Sequence, residues 1–409
     1  MPRSRLIEAV SIVPAILLWA TGLPAQDTIV VRADNPPVWG ENLQLIAEVR
    51  IGQLDGPEEY LFGQVDAVAV DSNGTIFVAD GQGPIIRRYR ADGQFIGNVG
   101  GGGAGPGEYF QILGMRVLSS GELAIWDPRN LRVSVFDSSG TYARSVRVTS
   151  GLYTSNPFQV DTAGHFYVKG SAGSGRPTAG GDLQTVWIHV SPGGEIVDSI
   201  PIPLDHPAAT SYVLVTPTGR RRPFTESKVS ALSPHGYLVV GWNIDYTLNR
   251  PLRDGRVLRI ERAFQPVPLE PDERAQWEAW SDHFENSEVF VEMRSGNPRH
   301  YPPIPSHKPA YRDFWVDQAG RIWVNLYVEA EFRSHTQEEP ANREDRPRPR
   351  YEWREPPVWD VIDPRGTFLG SVRTPENGWI AVARGQYIWV VERGEFDEES
   401  VVRYRIEGG

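Results

Sequence analysis

Short runs in which apolar and polar residues alternate fill most of this chain, and the runs end at turn residues. Residues 65–100 hold four of them: VDAVAV (65–70), TIFVAD (75–80), IIRRY (85–89) and QFIGNVG (94–100). Alternation with period two puts successive side chains on opposite faces of a strand, so each run predicts a β-strand. Ser72-Asn73-Gly74 and Asp92-Gly93 separate them. Asn, Asp and Gly tolerate positive φ and close tight hairpins, so the unit predicts a four-stranded antiparallel sheet.

The unit recurs. Turn glycines 74 and 93 are spaced like 121 and 140 and like 236 and 255. Longer versions follow at 158–202, 312–372 and 378–407. Aligned on the first-turn glycines 74, 121, 164, 236, 320 and 385, the chain is apolar two residues on (Ile76, Leu123, Phe166, Leu238, Ile322, Tyr387). It is apolar again four residues on (Val78, Ile125, Val168, Val240, Val324, Trp389). Six such units predict an all-β fold, a six-bladed β-propeller spanning 43–409. The last unit has three strands only, whereas LQLIAEVRIGQLDGPEEY (43–60) copies the outer strand and exit loop of the first, QFIGNVGGGGAGPGEY. Residues 44–51 are therefore expected to complete the last blade beside 401–406 and close the ring, which removes open sheet edges. Residues 26–42 are expected to be an N-terminal tail.

The stretches GPGEY, VAVDSNGTIFVAD and IRRYRADGQFIGNVG resemble the NHL-type repeat of six-bladed propellers. IPSHKPAYRDFWVDQAGRIWV is similar to a stretch common in exported bacterial six-bladed propellers. The resemblance covers nearly all of 43–409 and implies the fold. For function it implies several options, because such propellers include lyases, lactonase-like hydrolases and binding platforms.

Turns between strands one and two, and three and four, share one face of a propeller, and here they are short. Loops between strands two and three and between blades share the other, and all the long insertions fall there: 170–184, 203–224, 265–310 and 328–356. Binding sites favour such elaborated loops. Within 265–310, PDERAQWEAWSDHFE predicts one helix, begun by Pro271-Asp272-Glu273 and carrying Trp277, Trp280 and Phe284 at helical spacing.

Composition narrows the options. A formal charge of −11 argues against a nucleic-acid partner. Arg3 and Arg5 precede a short apolar run and Leu23-Pro24-Ala25, the layout of a secretory signal; it predicts cleavage before Gln26, a secreted or periplasmic product and no membrane insertion afterwards. The chain has no cysteine, which excludes disulfides and thiolate chemistry. It also lacks the G-x-S-x-G, H-E-x-x-H and G-x-x-x-x-G-K patterns of familiar catalysts.

Candidate chemistry lies where the inner strands begin and the second strands end, nearest the axis. Glu226, His307, Lys308, Tyr311, Arg312 and Trp379 hold the first positions. Lys308 and Arg312 are expected to face the channel and focus an anionic group on an otherwise acidic protein. At the second-strand ends, Asp80 and Asp127 suit backbone hydrogen bonding, while Asn243 and Asn325, beside Trp242 and Tyr327, suit a ligand. The leading expectation is a monomeric binding protein for a peptide, glycan or protein partner, with no cofactor. The alternative implied by the resemblance is a lyase or lactonase-like hydrolase holding Zn²⁺ or Ca²⁺ at the channel mouth, to which His307 would contribute.

Overall fold

A computed structural model describes residues 27–148, 155–172, 184–201, 224, 226–285, 304–333 and 352–408. Six antiparallel sheets follow one another around a ring. Blade 1 runs from Val65–Val70 to Phe95–Val99 and blade 2 from Gly114–Val117 to Tyr142–Arg147. Blade 3 spans Ser155–Val160 to Ile196–Pro201, and blade 4 spans Lys228–Leu232 to Val257–Glu261. Blade 5 runs from Tyr311–Val316 to Phe368–Arg373. In blade 6, Gly378–Arg384, Tyr387–Arg393 and Glu399–Glu407 are joined by Gln44–Ile51 as the fourth strand. That last pairing is antiparallel, from Gln44 opposite Glu407 to Ile51 opposite Val401, as the copied segment predicts.

Local chemistry explains the hairpins. The six first-turn glycines adopt φ between 58° and 86°, a left-handed region that costs a side chain but not glycine. Before several of these turns an Asp accepts backbone N–H groups two and four residues on: Asp71 from Asn73 and Thr75, Asp161 from Ala163 and His165, Asp317 from Ala319 and Arg321.

The core is divided among the blade interfaces, each with its own buried cluster. Phe77, Ile86 and Tyr109 with Leu123 and Phe136 sit between blades 1 and 2. Trp389, Val391 and Val401 with Val65, Val68 and Ile76 seal blade 6 against blade 1. Each fully buried aliphatic or aromatic side chain contributes about 1.5–3 kcal/mol, so the last interface holds the ring shut with an apolar cluster of its own.

Two features differ from expectation. Residues 28–32 are not a loose tail: Thr28–Arg32 adds a fifth strand to blade 4, parallel to Val257–Glu261. The chain then crosses blade 5, where Asn35 exchanges hydrogen bonds with the Phe368 backbone and Trp39 N–H donates to Leu369 O, before it completes blade 6. Second, the inner strands of blades 1, 5 and 6 carry a register shift near their starts, leaving Asp66, Arg312 and Ala381 as extra residues. Such bulges re-aim the side chains around them.

The helix forms at Pro271–Glu285. No helix among the described residues is long and apolar enough to cross a membrane. The signal segment 1–25 and most of the insertions, with 203–223 among them, lie outside the described residues.

Candidate functional site

The inner strands start, and the second strands end, on the face that carries the long insertions. Asp80 accepts N–H groups from Gly63 and Gln64 and pairs with Arg87 at 3.1 Å. Asp127, fully buried, accepts Phe110 N–H at 2.8 Å, Arg129 N–H at 3.0 Å and Asn130 Nδ2 at 2.7 Å. Both carboxylates latch the loop entering their own blade. Asn243 differs from the ligand-facing expectation: it is 1% exposed, and its Oδ1 accepts Ser227 N–H at 2.6 Å. It performs the same latch in blade 4, with an amide where blades 1 and 2 use an acid. Truncating Asp127 to Ala should cost roughly 2–4 kcal/mol in urea unfolding, because several buried donors lose their acceptor at once. A cost below about 0.5 kcal/mol would refute the latch role.

Lys308 and Arg312 do not form a free positive patch. Lys308 is completely buried, with Nζ 2.9 Å from Glu273 Oε1 of the helix and 3.2 Å from Glu355 Oε1, and it donates to Val328 O at 3.1 Å. Arg312 Nη2 lies 2.6 Å from Glu355 Oε2, and its guanidinium stacks over Tyr327 at 4.2 Å. Two cations meet two carboxylates, so the field that would draw an anion is neutralised internally. The network seats the helix instead, helped by Trp277 of the helix packing against Phe224, Leu269 and Ile304. Tyr311 is also inside: the bulge after it breaks the alternation and turns its ring into the core between blades 4 and 5, where burial pushes its phenol well above the usual range.

The other candidates remain on the surface side. Glu226 and His307 are exposed, with His307 Nδ1 3.0 Å from Ser306 Oγ. Asn325 is half-buried on the second strand of blade 5, between Asp313 and Trp359. Trp379 is 45% exposed and lines an open cavity of about 430 Å³ with Asn377, Glu392, Arg393 and Glu399. Charges there are paired as well: Glu392 with Arg50 at 2.8 Å and Glu399 with Arg393 at 2.9 Å.

Two channel residues went unread in the sequence. Asp66, the bulged residue of blade 1, has its carboxyl raised above the usual range by burial, with Asp80 and Glu399 nearby. Its signal was a lone acid inside the apolar run VDAVAV. Arg116 of blade 2 donates to Gln159 Oε1 at 3.0 Å, and burial lowers its guanidinium to about 10. Among the described residues, the channel mouth brings no three His, Asp or Glu ligand atoms close enough to hold an ion; the one such group lies in blade 3, at Asp161, His165 and His189.

Apart from Ile29, Val30, Val38, Ile46, Ile96, Ile196 and Val197 on the outer strands and the N-terminal strap, the exposed apolar side chains are distributed unevenly between the two faces. Leu54, Phe110, Leu131, Ile244, Phe332, Trp379 and Phe396 all stand on the long-loop side, in two-to-three or interblade connections or at an inner-strand start. Among the described residues, the one-to-two and three-to-four turns of the opposite face carry no exposed large apolar side chain.

Residues 26–175 match a protein family described as a 6-bladed beta-propeller. No curated protein matches the sequence. Solved structures similar in fold include a member of the duf4221 family from Bacteroides vulgatus (10% identity, 91% of this chain and all of that one, TM-score 0.49). A gluconolactonase from Xanthomonas campestris has 14% identity over 90% and 95% of the two chains, with a TM-score of 0.41. Virginiamycin B lyase from Staphylococcus aureus has 9% identity over 88% and 98%, with a TM-score of 0.40.

Proposed function

We propose that the protein is an exported binding propeller that recognises a peptide, glycan or protein partner on its long-loop face. The observation that carries this reading is that, between the two faces, exposed apolar side chains in the connections stand on the long-loop face alone among the described residues. Apolar surface concentrated on one face marks interaction sites, and aromatic side chains are enriched where partners bind. Trp379 is the best anchor, because its exposed ring borders a cavity whose charges are already paired. Such a wall suits sugar hydroxyls or peptide amides over a bare ion. Asp80, Asp127 and Asn243 at the second-strand ends are engaged in latching backbone, which favours recognition over catalysis.

The test is binding of purified mature protein to glycan and peptide arrays, repeated with Trp379→Ala. A specific signal that falls at least tenfold in the variant, at an unchanged melting temperature, is the expected result. Turnover of a lactone on the wild-type protein with added Zn²⁺ or Ca²⁺, with no array signal, would instead favour the hydrolase.

A further inference from the structure

The trimmed face carries a second candidate site, remote in function from the partner-binding surface. In blade 3, Asp161 and His165 bracket the first turn, His189 lies on the third strand (Gln184–Val190) and Asp198 lies opposite it on the fourth. One ligand atom each from Asp161, His165 and His189 falls within 4.8 Å of the others. From these placements we infer that the blade binds one divalent transition-metal ion of the Zn²⁺ class through Asp161, His165 and His189, with Asp198 orienting His189.

His189 provides the main support. Its Nδ1 is 3.0 Å from Asp198 Oδ1, which holds the ring proton on that nitrogen and leaves Nε2 with a lone pair. That Nε2 is buried and has no hydrogen-bond partner. A buried, unpartnered ring nitrogen is costly, and a metal would satisfy it. A carboxylate behind a ligating histidine is the usual outer-shell arrangement of zinc sites. Tyr167 stacks flat on the His189 ring at 4.6 Å and donates to Asp161 Oδ2 at 2.9 Å, so both ligands are held in place.

The sister blades act as an internal control. Asp317 of blade 5 has the same turn bonds, but its Oδ2 meets Arg321 Nε and Trp323 Nε1 where Asp161 Oδ2 meets the His165 ring and the Tyr167 hydroxyl, and the third-strand position opposite Trp323 is Val361. In blade 1 the matching residues are Asp71, Thr75, Phe77 and Arg88. The turn therefore does not need histidine at either place, yet blade 3 puts two of the chain's eight histidines there. Nitrogen and carboxylate ligands suit Zn²⁺, with bonds of about 2.0–2.2 Å and ligand atoms roughly 3.4 Å apart. Atoms within 4.8 Å of one another need to close by no more than roughly 1.4 Å, and the His165 ring, 32% exposed, has room to turn. That exposure also leaves a coordination position open to solvent.

Tag-free protein titrated calorimetrically with Zn²⁺ tests the inference. The expected result is one ion per chain and a melting temperature that rises with Zn²⁺. His189→Ala and His165→Ala should each weaken binding at least tenfold, and Asp198→Asn roughly 10–100-fold, since it acts through His189. Asp198 is 60% exposed, so its variant should fold even if His189→Ala does not. His307→Ala, at an exposed site on the other face, should leave the titration unchanged. Absence of stoichiometric binding, or binding untouched by His165→Ala and Asp198→Asn, overturns the site.

Discussion

A chain lacking Gln44–Ile51 should lose cooperative unfolding altogether. The deletion removes the fully buried Ile51 from the cluster between blades 6 and 1. It also removes the ladder with Glu399–Glu407, the Arg50–Glu392 pair and the Glu48 contacts to Arg403 and Arg405. The exposed edge of blade 6 becomes a template for association. Together these losses exceed about 5 kcal/mol, enough to exhaust the stability of many domains. Urea unfolding followed by circular dichroism checks it: a broad transition or none is expected, and a wild-type midpoint and slope would refute closure by this strand.

Lys308→Met carries the second large effect. The ammonium is wholly buried between Glu273 and Glu355, whose side chains are 1% and 6% exposed. Removing it leaves carboxylate charge without its counter-ion in a dry site, a loss of about 3–5 kcal/mol. The damage should centre on the helix, which loses its ionic tie at Glu273, so limited proteolysis should cut near Pro271–Glu285 before the blades. Adding Glu273→Leu to Lys308→Met should recover part of the loss, because the orphaned charge goes with it. A single-variant cost below about 1 kcal/mol would show that the charges rehydrate freely.

The architecture was legible because its signals are local and repeated. Period-two alternation and glycine turns recur six times, and the copied strand at 44–51 marks the closure. The parallel strand Thr28–Arg32 was not legible: TIVVR has no hairpin turn beside it, and its partner is set only once blade 4 exists. Site residues proved harder, because position along a strand does not fix direction. One bulge decides that Tyr311 enters the core while Arg312 meets Glu355. Lys308 looked like a channel charge because its partners, Glu273 and Glu355, are 35 and 47 residues away in sequence. Asp80 and Asp127 were readable, since an Asx side chain at a strand end has backbone donors in reach wherever the rest of the chain goes.

The N-terminal strap that pins blade 4, crosses blade 5 and completes blade 6 also fixes the order of assembly. Ribosomes deliver the chain from its N-terminal end, yet Gln44 must wait for Glu407 before it has a partner. Blades 1 to 3 can form during delivery, and Thr28–Arg32 can dock once blade 4 has emerged; Gln44–Ile51 cannot pair so early. Its apolar residues stay unsatisfied until the last strand has emerged, and the ring then shuts in a late step between distant segments, a slow kind of contact to make. Through that interval the unpaired segment and the open blade edge are exposed together, and this is when a holding chaperone would have most to protect.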